Sequence, residues 1–180
     1  MNILVCISKA PDTTSKIAFT NNLTQFDENG VQYIVNPYDE WYALVRALEI
    51  KESIGGNVTI VTVGTVSDEA VIRKALAIGA DEAVRIDADP KDAFFVASQI
   101  ASYAKSKGFD LVMTGKETIN YNGSQVGGMI AESLDLPFIS LATKLDANGS
   151  VLTLEREIVG GVQVVEVQLP AVVSCAKGMA

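Results

Sequence analysis

Short runs of apolar, mostly β-branched residues alternate along this chain with longer segments whose apolar positions follow a helical period. The five runs are Ile3 to Ser8, Val58 to Val63, Ala83 to Ile86, Leu111 to Thr114 and Ala171 to Cys175. Near-continuous apolar strands separated by helices are typical of βαβ units, in which helices cover both faces of a parallel sheet. The pattern therefore predicts a doubly wound α/β fold with a mainly parallel sheet.

Four segments between these strands carry helix start and stop signals. The first begins at Asn36-Pro37-Tyr38-Asp39, where we expect Asn36 to be the N-cap, and it ends near Ile54 before two glycines. The other three begin near Ser67, Asp89 and Gly123 or Ser124, and they end near Gly79, Gly108 and Pro137. We thus expect four helices against the sheet.

Beyond Pro137 the pattern changes to alternating strands, with turn signals at Asn148-Gly149 and Gly160-Gly161. It predicts an antiparallel meander at one sheet edge, with strands Leu141 to Leu145, Val151 to Ile158 and Gln163 to Leu169. A hairpin is expected over Ile17 to Ile34, with its turn at Asp27 to Gly30. No repeat or linker interrupts the chain, so we expect residues 1–180 to form one domain.

Composition narrows the choice of partners and of compartment. The chain has 180 residues and is 48% hydrophobic, which suffices for a core and excludes general disorder. Its 14 basic and 22 acidic residues give a net charge of −8, which disfavours nucleic acid and anionic membranes as partners. The N-terminal apolar run is too short for a signal peptide, and no long apolar stretch follows. A cytoplasmic protein without membrane insertion is expected.

The residue inventory also removes much catalytic chemistry. The chain has no histidine, and its two cysteines, Cys6 and Cys175, lie near opposite ends of the sequence. Histidine-dependent nucleophiles, zinc sites with histidine and CxxC redox pairs are therefore absent. No acid and base stand at a recognisable catalytic spacing. The sequence predicts a protein that binds a ligand rather than an enzyme, and no metal site.

One segment has the composition of an anion-binding loop. Ligands of open parallel sheets bind beyond the carboxyl ends of the strands, and residues 115–128, GKETINYNGSQVGG, follow such a strand and enter a helix. Small residues and a helix N-terminus bring backbone N–H groups close to an anion, so a nucleotide phosphate would fit. The segment matches neither a Walker A motif nor GxGxxG. On spacing alone, an ordinary strand-to-helix turn remains an equal alternative.

Other candidates have simpler explanations. For Asn36 and Asp39, helix capping is favoured over ligand binding, because a helix start needs these residue types in any case. Cys6 lies in an apolar strand and is favoured as a small buried hydrophobe. Lys9 and Lys116 could reach a phosphate, although a solvated lysine is the commoner case.

Six stretches in order along nearly the whole chain resemble the beta, or small, subunit of electron transfer flavoprotein. They read ILVCISKAPD, NPYDEWYALVRALEIKE, VTIVTVG, IRKALAIGADEAVRI, GKETINYNGSQVGGMIAESLDLP, and LEREIVGG followed by VQLPAVVS. The resemblance implies a Rossmann-like nucleotide-binding fold in a heterodimer with an alpha subunit. It also implies a structural AMP in this chain, and an FAD, held mainly by the alpha subunit, that takes electrons from acyl-CoA dehydrogenases or related flavin dehydrogenases.

The family's AMP contacts transfer to matching positions in three parts of this sequence. The strand ends contribute Cys6 and Val63, through backbone where the side chains are apolar. The start of the first helix contributes Asn36, Pro37, Tyr38 and Asp39. The glycine-containing segment and the helix start that follows it contribute Asn120, Tyr121, Asn122, Gly123, Ser124, Gln125, Val126, Gly127 and Gly128, and the matching contacts extend along the helix to Ala131.

Three departures from the family pattern bear on this assignment. Asn120-Tyr121-Asn122 replaces a run of aspartates, and Val159 replaces the aspartate of EREIDGG. The sequence ends at Ala180, whereas the family continues into an arm that wraps the alpha subunit and a loop that docks dehydrogenases. Either the sequence is a truncated version or the arm is absent from this protein, and in both cases the inference of heterodimer formation and donor docking through this chain is weakened.

Two alternative functions stay open at this stage. In the bifurcating branch of the family a second FAD occupies the AMP position, and the loop sequence does not decide between the two ligands. A stand-alone ATP-binding module of the universal-stress type would share the α/β fold and form homodimers. For the heterodimer, we expect an exposed apolar face formed by the meander and the sheet edge.

Overall fold

The computed structural model describes residues 1–180 and confirms the α/β prediction. The strands are β1 Asn2–Cys6, β2 Lys9–Pro11, β3 Phe19–Thr20, β4 Gln25–Phe26, β5 Tyr33–Val35, β6 Asn57–Gly64, β7 Glu82–Asp87, β8 Leu111–Gly115, β9 Phe138–Asn148, β10 Val151–Ile158, β11 Gly161–Gln168 and β12 Ala171–Cys175. The helices are α1 Asp39–Ile54, α2 Glu69–Ala77, α3 Ala93–Lys105 and α4 Val126–Leu134, with a 3₁₀ turn at Val66–Asp68.

Eight strands form one sheet in the order β11-β10-β9-β12-β8-β1-β6-β7. The strands from β9 to β7 in this order run parallel, whereas β10 and β11 pair antiparallel with β9 and with each other. The C-terminal meander is thus confirmed. It extends the sheet through β9, because the last strand of the chain, β12, inserts between β9 and β8.

Helices cover both faces of the sheet. On one face, Ala43, Leu44 and Ala47 of α1 and Val71 of α2 pack into a cluster of 23 buried residues. On the other face, α3 and α4 contribute to a second cluster of 11 buried residues, which includes Ile130. Because the central strands β1 and β8 are buried on both sides, their sequences are continuously apolar.

The predicted hairpin over Ile17 to Ile34 is wrong in its pairing. β3 and β4 form a smaller hairpin, whose turn contains Asn21, Asn22 and Leu23 with positive φ angles of 50, 55 and 65°. The Asp27 to Gly30 turn connects β4 to β5 instead, and β5 pairs with β2. The error arises because two turn signals lie in this segment, and asparagine tolerates the left-handed conformation that closes the earlier one.

All four helices begin C-terminal to their predicted starts, and for α1 and α3 the predicted capping residue is wrong. Asn36 is not an N-cap, because α1 begins at Asp39 and the preceding Tyr38 has a φ of 67°, outside the helical region. The carbonyl of Tyr38 accepts the first bond of the helix, from the N–H of Tyr42 at 2.8 Å. For α3 the cap is Asp92 rather than Asp89, since its carboxylate accepts the N–H of Phe95 at 2.7 Å.

Candidate functional site

The carboxyl edge of the parallel strands brings three loops and the start of α1 together. Ser8 follows β1, Asn36 precedes α1, and Lys116 follows β8. A Cβ atom on Gly115 would lie 2.8 Å from both the Cγ and the backbone N of Glu40. Glycine at this position therefore allows the N-terminus of α1 to pack directly on the end of β8.

Asn36 lies at the centre of this edge, and its side chain is fully buried. Its Nδ2 donates to Ser8 Oγ at 3.2 Å and to Asn120 Oδ1 at 2.9 Å. Its Oδ1 accepts the backbone N–H of Ile119 at 2.9 Å, while its own backbone N–H donates to the carbonyl of Ser8. The Asn36 side chain thus links the loop after β1 to the glycine loop. It could not make these contacts if it capped a helix.

A buried acid supports Ser8 from the first turn of α1. The carboxylate of Glu40 accepts the backbone N–H of Ser8 at 2.6 Å and its hydroxyl at 3.0 Å. Burial, and to a smaller extent the neighbouring charge of Asp39, raises the pKa of Glu40 to about 8. Burial also raises the pKa of Asp39 above its usual value, although Lys116 opposes this shift from 3.9 Å.

The glycine loop, defined as residues 116–125, is held at its ends and exposed in its middle. Lys116 Nζ lies 3.1 Å from Oε1 of Glu117, and the other carboxylate oxygen, Oε2, accepts the hydroxyl of Ser124 at 3.1 Å. Asn122 and Ser124 have positive φ angles of 50 and 51°. Residues 120–125 are exposed. The side chains of Asn120 and Ser124 already contact Asn36 and Glu117, whereas those of Asn122 and Gln125 are free to contact a ligand.

The start of α4 differs from that of α1 in its charge, although neither helix has a side-chain cap. No side chain caps α4, and its first turn contains no acidic residue, so its first backbone N–H groups lack an intrahelical acceptor. Behind it, Thr114 Oγ1 is buried and has no hydrogen-bond partner. A Cβ on Gly127 would lie only 2.8 Å from this oxygen and 3.1 Å from the Phe138 ring. The geometry suits an anion at the helix N-terminus.

The structure joins some of the sequence-predicted residues and leaves others apart. Hydrogen bonds connect Asn36 with the glycine loop, while Asp39 faces Lys116. Tyr38 is exposed next to them. The side chains of Cys6 and Val63 instead lie in the core under α3 and α4, so only their backbones border the edge. Burial raises the pKa of the Cys6 thiol strongly, in keeping with its interpretation as a buried hydrophobe.

Three polar residues of this edge were not among the sequence candidates. They are Ser8, Glu40 and Thr114. For Glu40 a signal existed, because it stands on the same helical stripe as the buried Ala43, Leu44 and Ala47. A charged residue in line with buried apolar residues of a helix predicts that its side chain is buried and bonded to a polar partner. Nothing in the sequence marks Ser8 or Thr114, whose roles depend on contacts distant along the chain.

The remaining titratable side chains form no cluster suited to a metal ion. No group of three or more Cys, Asp or Glu side chains is arranged to hold a metal ion. Both cysteines are free and buried, and burial raises the pKa of Cys175 as well. None of the four helices combines the length and apolar character needed to cross a membrane.

The tip of the β10–β11 hairpin carries the largest group of exposed apolar side chains in the meander. Val162 and Val164 are 57% and 64% exposed, and Ile158 and Val159 lie beside them. A groove of about 540 Å³ borders this tip and includes Leu141, whose φ of 59° is unusual for a bulky residue. The register pairs Val162 and Val164 with Glu157 and Glu155, so these two valines share one side of the ladder, whereas Ile158 lies on the other. We call Val162 and Val164 the hairpin face. They lie in the meander, where the sequence predicts an exposed apolar face.

The fold is that of a doubly wound α/β protein, a class whose ligands commonly bind beyond the carboxyl ends of the strands. The family model described as "Electron transfer flavoprotein domain" matches residues 23–180. Electron transfer flavoprotein subunit beta of Bacillus subtilis (strain 168) is 38% identical over 183 residues, covering 99% of this chain and 70% of that protein.

Two further relatives show the same relationship. Electron transfer flavoprotein subunit beta of Thermoanaerobacterium thermosaccharolyticum is 33% identical, covering 98% of this chain and 68% of that protein. The acryloyl-CoA reductase electron transfer subunit gamma of Anaerotignum propionicum is 31% identical, covering 100% of this chain and 69% of that protein. This chain belongs to the electron transfer flavoprotein family, as its motifs indicate.

Proposed function

We propose that this chain is the small subunit of a heterodimeric electron transfer flavoprotein in the cytoplasm and that it binds a structural AMP at the carboxyl edge of its sheet. Residues 1–180 act as one nucleotide-binding domain in this proposal. The residues assigned to the nucleotide are Cys6, Asn36, Pro37, Tyr38, Asp39, Val63, Asn120, Tyr121, Asn122, Gly123, Ser124, Gln125, Val126, Gly127 and Gly128.

The start of α4 is the observation that carries the assignment. Its uncapped N–H groups at Val126, Gly127 and Gly128 offer donors and a positive dipole end to a phosphate. The unpartnered hydroxyl of Thr114 lies directly behind Gly127 and supplies a further polar atom. An uncapped helix start and an orphaned buried hydroxyl at the same place are both explained by a bound anion.

The rest of the nucleotide would contact the surrounding loops. Asn120, Asn122, Ser124 and Gln125 are exposed and carry amide or hydroxyl groups suited to ribose hydroxyls. The backbones of Cys6 and Val63 border the same edge, where a flat base can approach. The asparagines bring less negative charge to this loop than aspartates would, which favours an anionic ligand.

Electron transfer itself is assigned to the assembled heterodimer. The bound FAD, held mainly by the alpha subunit, supplies the redox chemistry with flavin dehydrogenases as donors. This chain contributes no catalytic residue: it binds the structural nucleotide and presents the hairpin face to the alpha subunit. Exposed valines on an edge strand are suited to such a contact, because burial removes apolar surface from water.

The first experiment identifies the bound molecule. The protein is purified without added nucleotide, both alone and with the alpha subunit, then denatured, and the released compounds are identified by chromatography and mass. Release of AMP supports the proposal. Release of FAD from this chain would replace AMP by a second flavin, as in the bifurcating branch. ATP, or no nucleotide even from the co-expressed heterodimer, would overturn the assignment.

Two adjacent glycines provide a matched pair of variants. In Gly127→Ala the new methyl group meets the Thr114 hydroxyl at 2.8 Å, whereas in Gly128→Ala the nearest atom is a Phe138 carbon at 3.4 Å, an ordinary contact. We expect Gly127→Ala to weaken AMP binding at least about tenfold by moving the helix start. Gly128→Ala should bind AMP normally and unfold at the same or higher denaturant concentration.

A further inference from the structure

The buried carboxylate of Glu40 is connected to the candidate nucleotide site by hydrogen bonds through two other side chains. Glu40 is only 7% exposed, and all of its hydrogen bonds go to Ser8. Ser8 Oγ accepts from Asn36, whose amide group holds Ile119 and Asn120 of the glycine loop. We call Glu40, Ser8 and Asn36 the polar relay. It begins in α1 and ends on the loop.

The ionised form of Glu40 satisfies every group in the relay. An ionised carboxylate only accepts, so the Ser8 hydroxyl donates to it and keeps its lone pairs for Asn36 Nδ2. The second hydrogen of that Nδ2 goes to Asn120 Oδ1, and the amide oxygen is left to accept the N–H of Ile119. The orientation of the Asn36 amide is thereby fixed.

A neutral carboxyl group changes this arrangement, because it adds a donor facing Ser8. If this O–H donates to Ser8 Oγ, the serine oxygen can still accept from Asn36, but the serine hydroxyl hydrogen loses its acceptor in a part-buried position. Rotating the Asn36 amide to relieve the conflict would place its N–H against the N–H of Ile119. Either adjustment loosens the contact between the relay and the loop.

We propose that the Glu40 carboxylate is a positioning residue for the glycine loop, acting through Ser8 and Asn36 to hold Ile119 and Asn120 for the nucleotide. The proposal rests on the proposed function for the identity of the ligand. The order of the loop does not depend on the identity of the ligand, because the hydrogen bonds of the relay alone determine it. These two parts can be measured separately.

Two titratable groups interact directly with Glu40: Asp39, beside it on α1, and Cys6 on β1. Lys116 and Glu117, which follow β8, interact with Asp39 and with each other. The pKa of Lys116 is raised and that of Glu117 is lowered, chiefly by their contact with each other, so both stay charged from pH 6.5 to 9. The Cys6 thiol stays neutral there because burial raises its pKa. The pKa of Glu40, about 8, falls inside this window.

The test compares the full chain with Glu40→Gln and with Glu52→Gln, an exposed glutamate at the far end of the same helix. Titration calorimetry measures AMP binding at pH 6.5 and pH 9. At pH 9 we expect the original chain to bind about tenfold more tightly than Glu40→Gln, and at pH 6.5 the two should agree within about twofold. Glu52→Gln should follow the original chain at both values. Taking ratios removes the titration of the phosphate itself.

Amide exchange in the nucleotide-free protein tests the loop directly. At pH 9, Glu40→Gln and Ser8→Ala should each expose the Ile119 amide, with protection reduced about tenfold, and leave Met113 of β8 unchanged. Ser8→Thr, which keeps the hydroxyl, should restore protection. Ser8→Ala also tests the relay if Glu40→Gln does not fold.

Wild-type affinity of Glu40→Gln at pH 9, or an Ile119 amide that stays protected in Ser8→Ala, would overturn the proposal. If AMP binds none of these proteins while the Ile119 amide still responds to Ser8→Ala, the ligand assignment fails and the relay stands.

Discussion

The carboxyl edge around Asn36 and the hairpin face differ in where their side chains find partners. At the edge, Asn36 and Glu40 are buried, and every polar atom of their side chains is hydrogen-bonded within the chain. At the hairpin face, Val162 and Val164 project from an edge strand and remain more than half exposed. The polar side chains of the edge find their partners within the fold, whereas the valines of the hairpin face stay exposed for contact with a second molecule.

The two regions differ in the free-energy cost of leaving their side chains without a partner. Buried polar groups must be satisfied within the chain, so the geometry of the edge is fixed before any ligand arrives. Exposed valines carry only a modest hydrophobic penalty in one folded chain, and that penalty is recovered when a partner covers them. Substitutions at the edge should therefore act on folding and on nucleotide binding, and those at the hairpin face on assembly.

The largest expected effect is the pH dependence contributed by Glu40. Because its pKa is about 8 when folded and 4.5 ordinarily, the folded chain holds an extra proton between these values. Its stabilising contribution is complete below pH 4.5, is lost as pH rises towards 8, and changes no further above that. Across this window the original chain should lose stability relative to Glu40→Gln, by up to about 1.4 kcal/mol per pH unit.

Denaturant unfolding of both proteins at several pH values measures this difference. Glu52→Gln serves as the control, since an exposed glutamate should leave the pH profile parallel to that of the original chain. If the free energies of unfolding of Glu40→Gln and of the original chain depend on pH in the same way, the Glu40 carboxylate is as well solvated in the folded chain as in the unfolded chain. The contrast between the two regions would then lose its main support.

A smaller effect is expected from closing the contact between β8 and α1. Gly115→Ala places a methyl group 2.8 Å from the Glu40 backbone, so the helix must shift, at a cost of about 1–3 kcal/mol in the free energy of unfolding. Gly161→Ala at the start of β11 meets nothing within 4 Å and should change stability by less than about 0.5 kcal/mol. Equal stabilities in chemical denaturation would contradict the close packing of this edge.

The smallest effect on folding, and the clearest on assembly, is expected at the hairpin face. Replacing Val162 and Val164 together by serine should alter the unfolding of the isolated chain by less than about 1 kcal/mol. Binding to the alpha subunit, measured by titration, should weaken at least about tenfold. Leu23→Ser at the exposed β3–β4 turn is the control and should leave this affinity unchanged. Unchanged binding by the valine variant would move the subunit contact elsewhere.

Much of the architecture was predictable because it depends on local patterns. The five apolar strands β1, β6, β7, β8 and β12, the four helices and the meander follow from apolar periodicity and from turn residues between them. Pairing was harder: β5 joins β2 rather than β4, since pairing depends on distant contacts and not on which turn signal is nearest. The glycine loop was found by composition, although its own residues allowed an ordinary turn equally well.

The sequence by itself determined the α/β class, the positions of the glycines and the family, because each depends on residue types in a fixed order. Only the tertiary structure decided what Asn36 does. A local view assigns it to a helix cap, whereas the fold brings Ser8, Ile119 and Asn120 around its amide. Such a role requires contacts 28 to 84 residues apart in the chain. No local pattern encodes them, because their geometry exists only once the strands of the sheet are aligned.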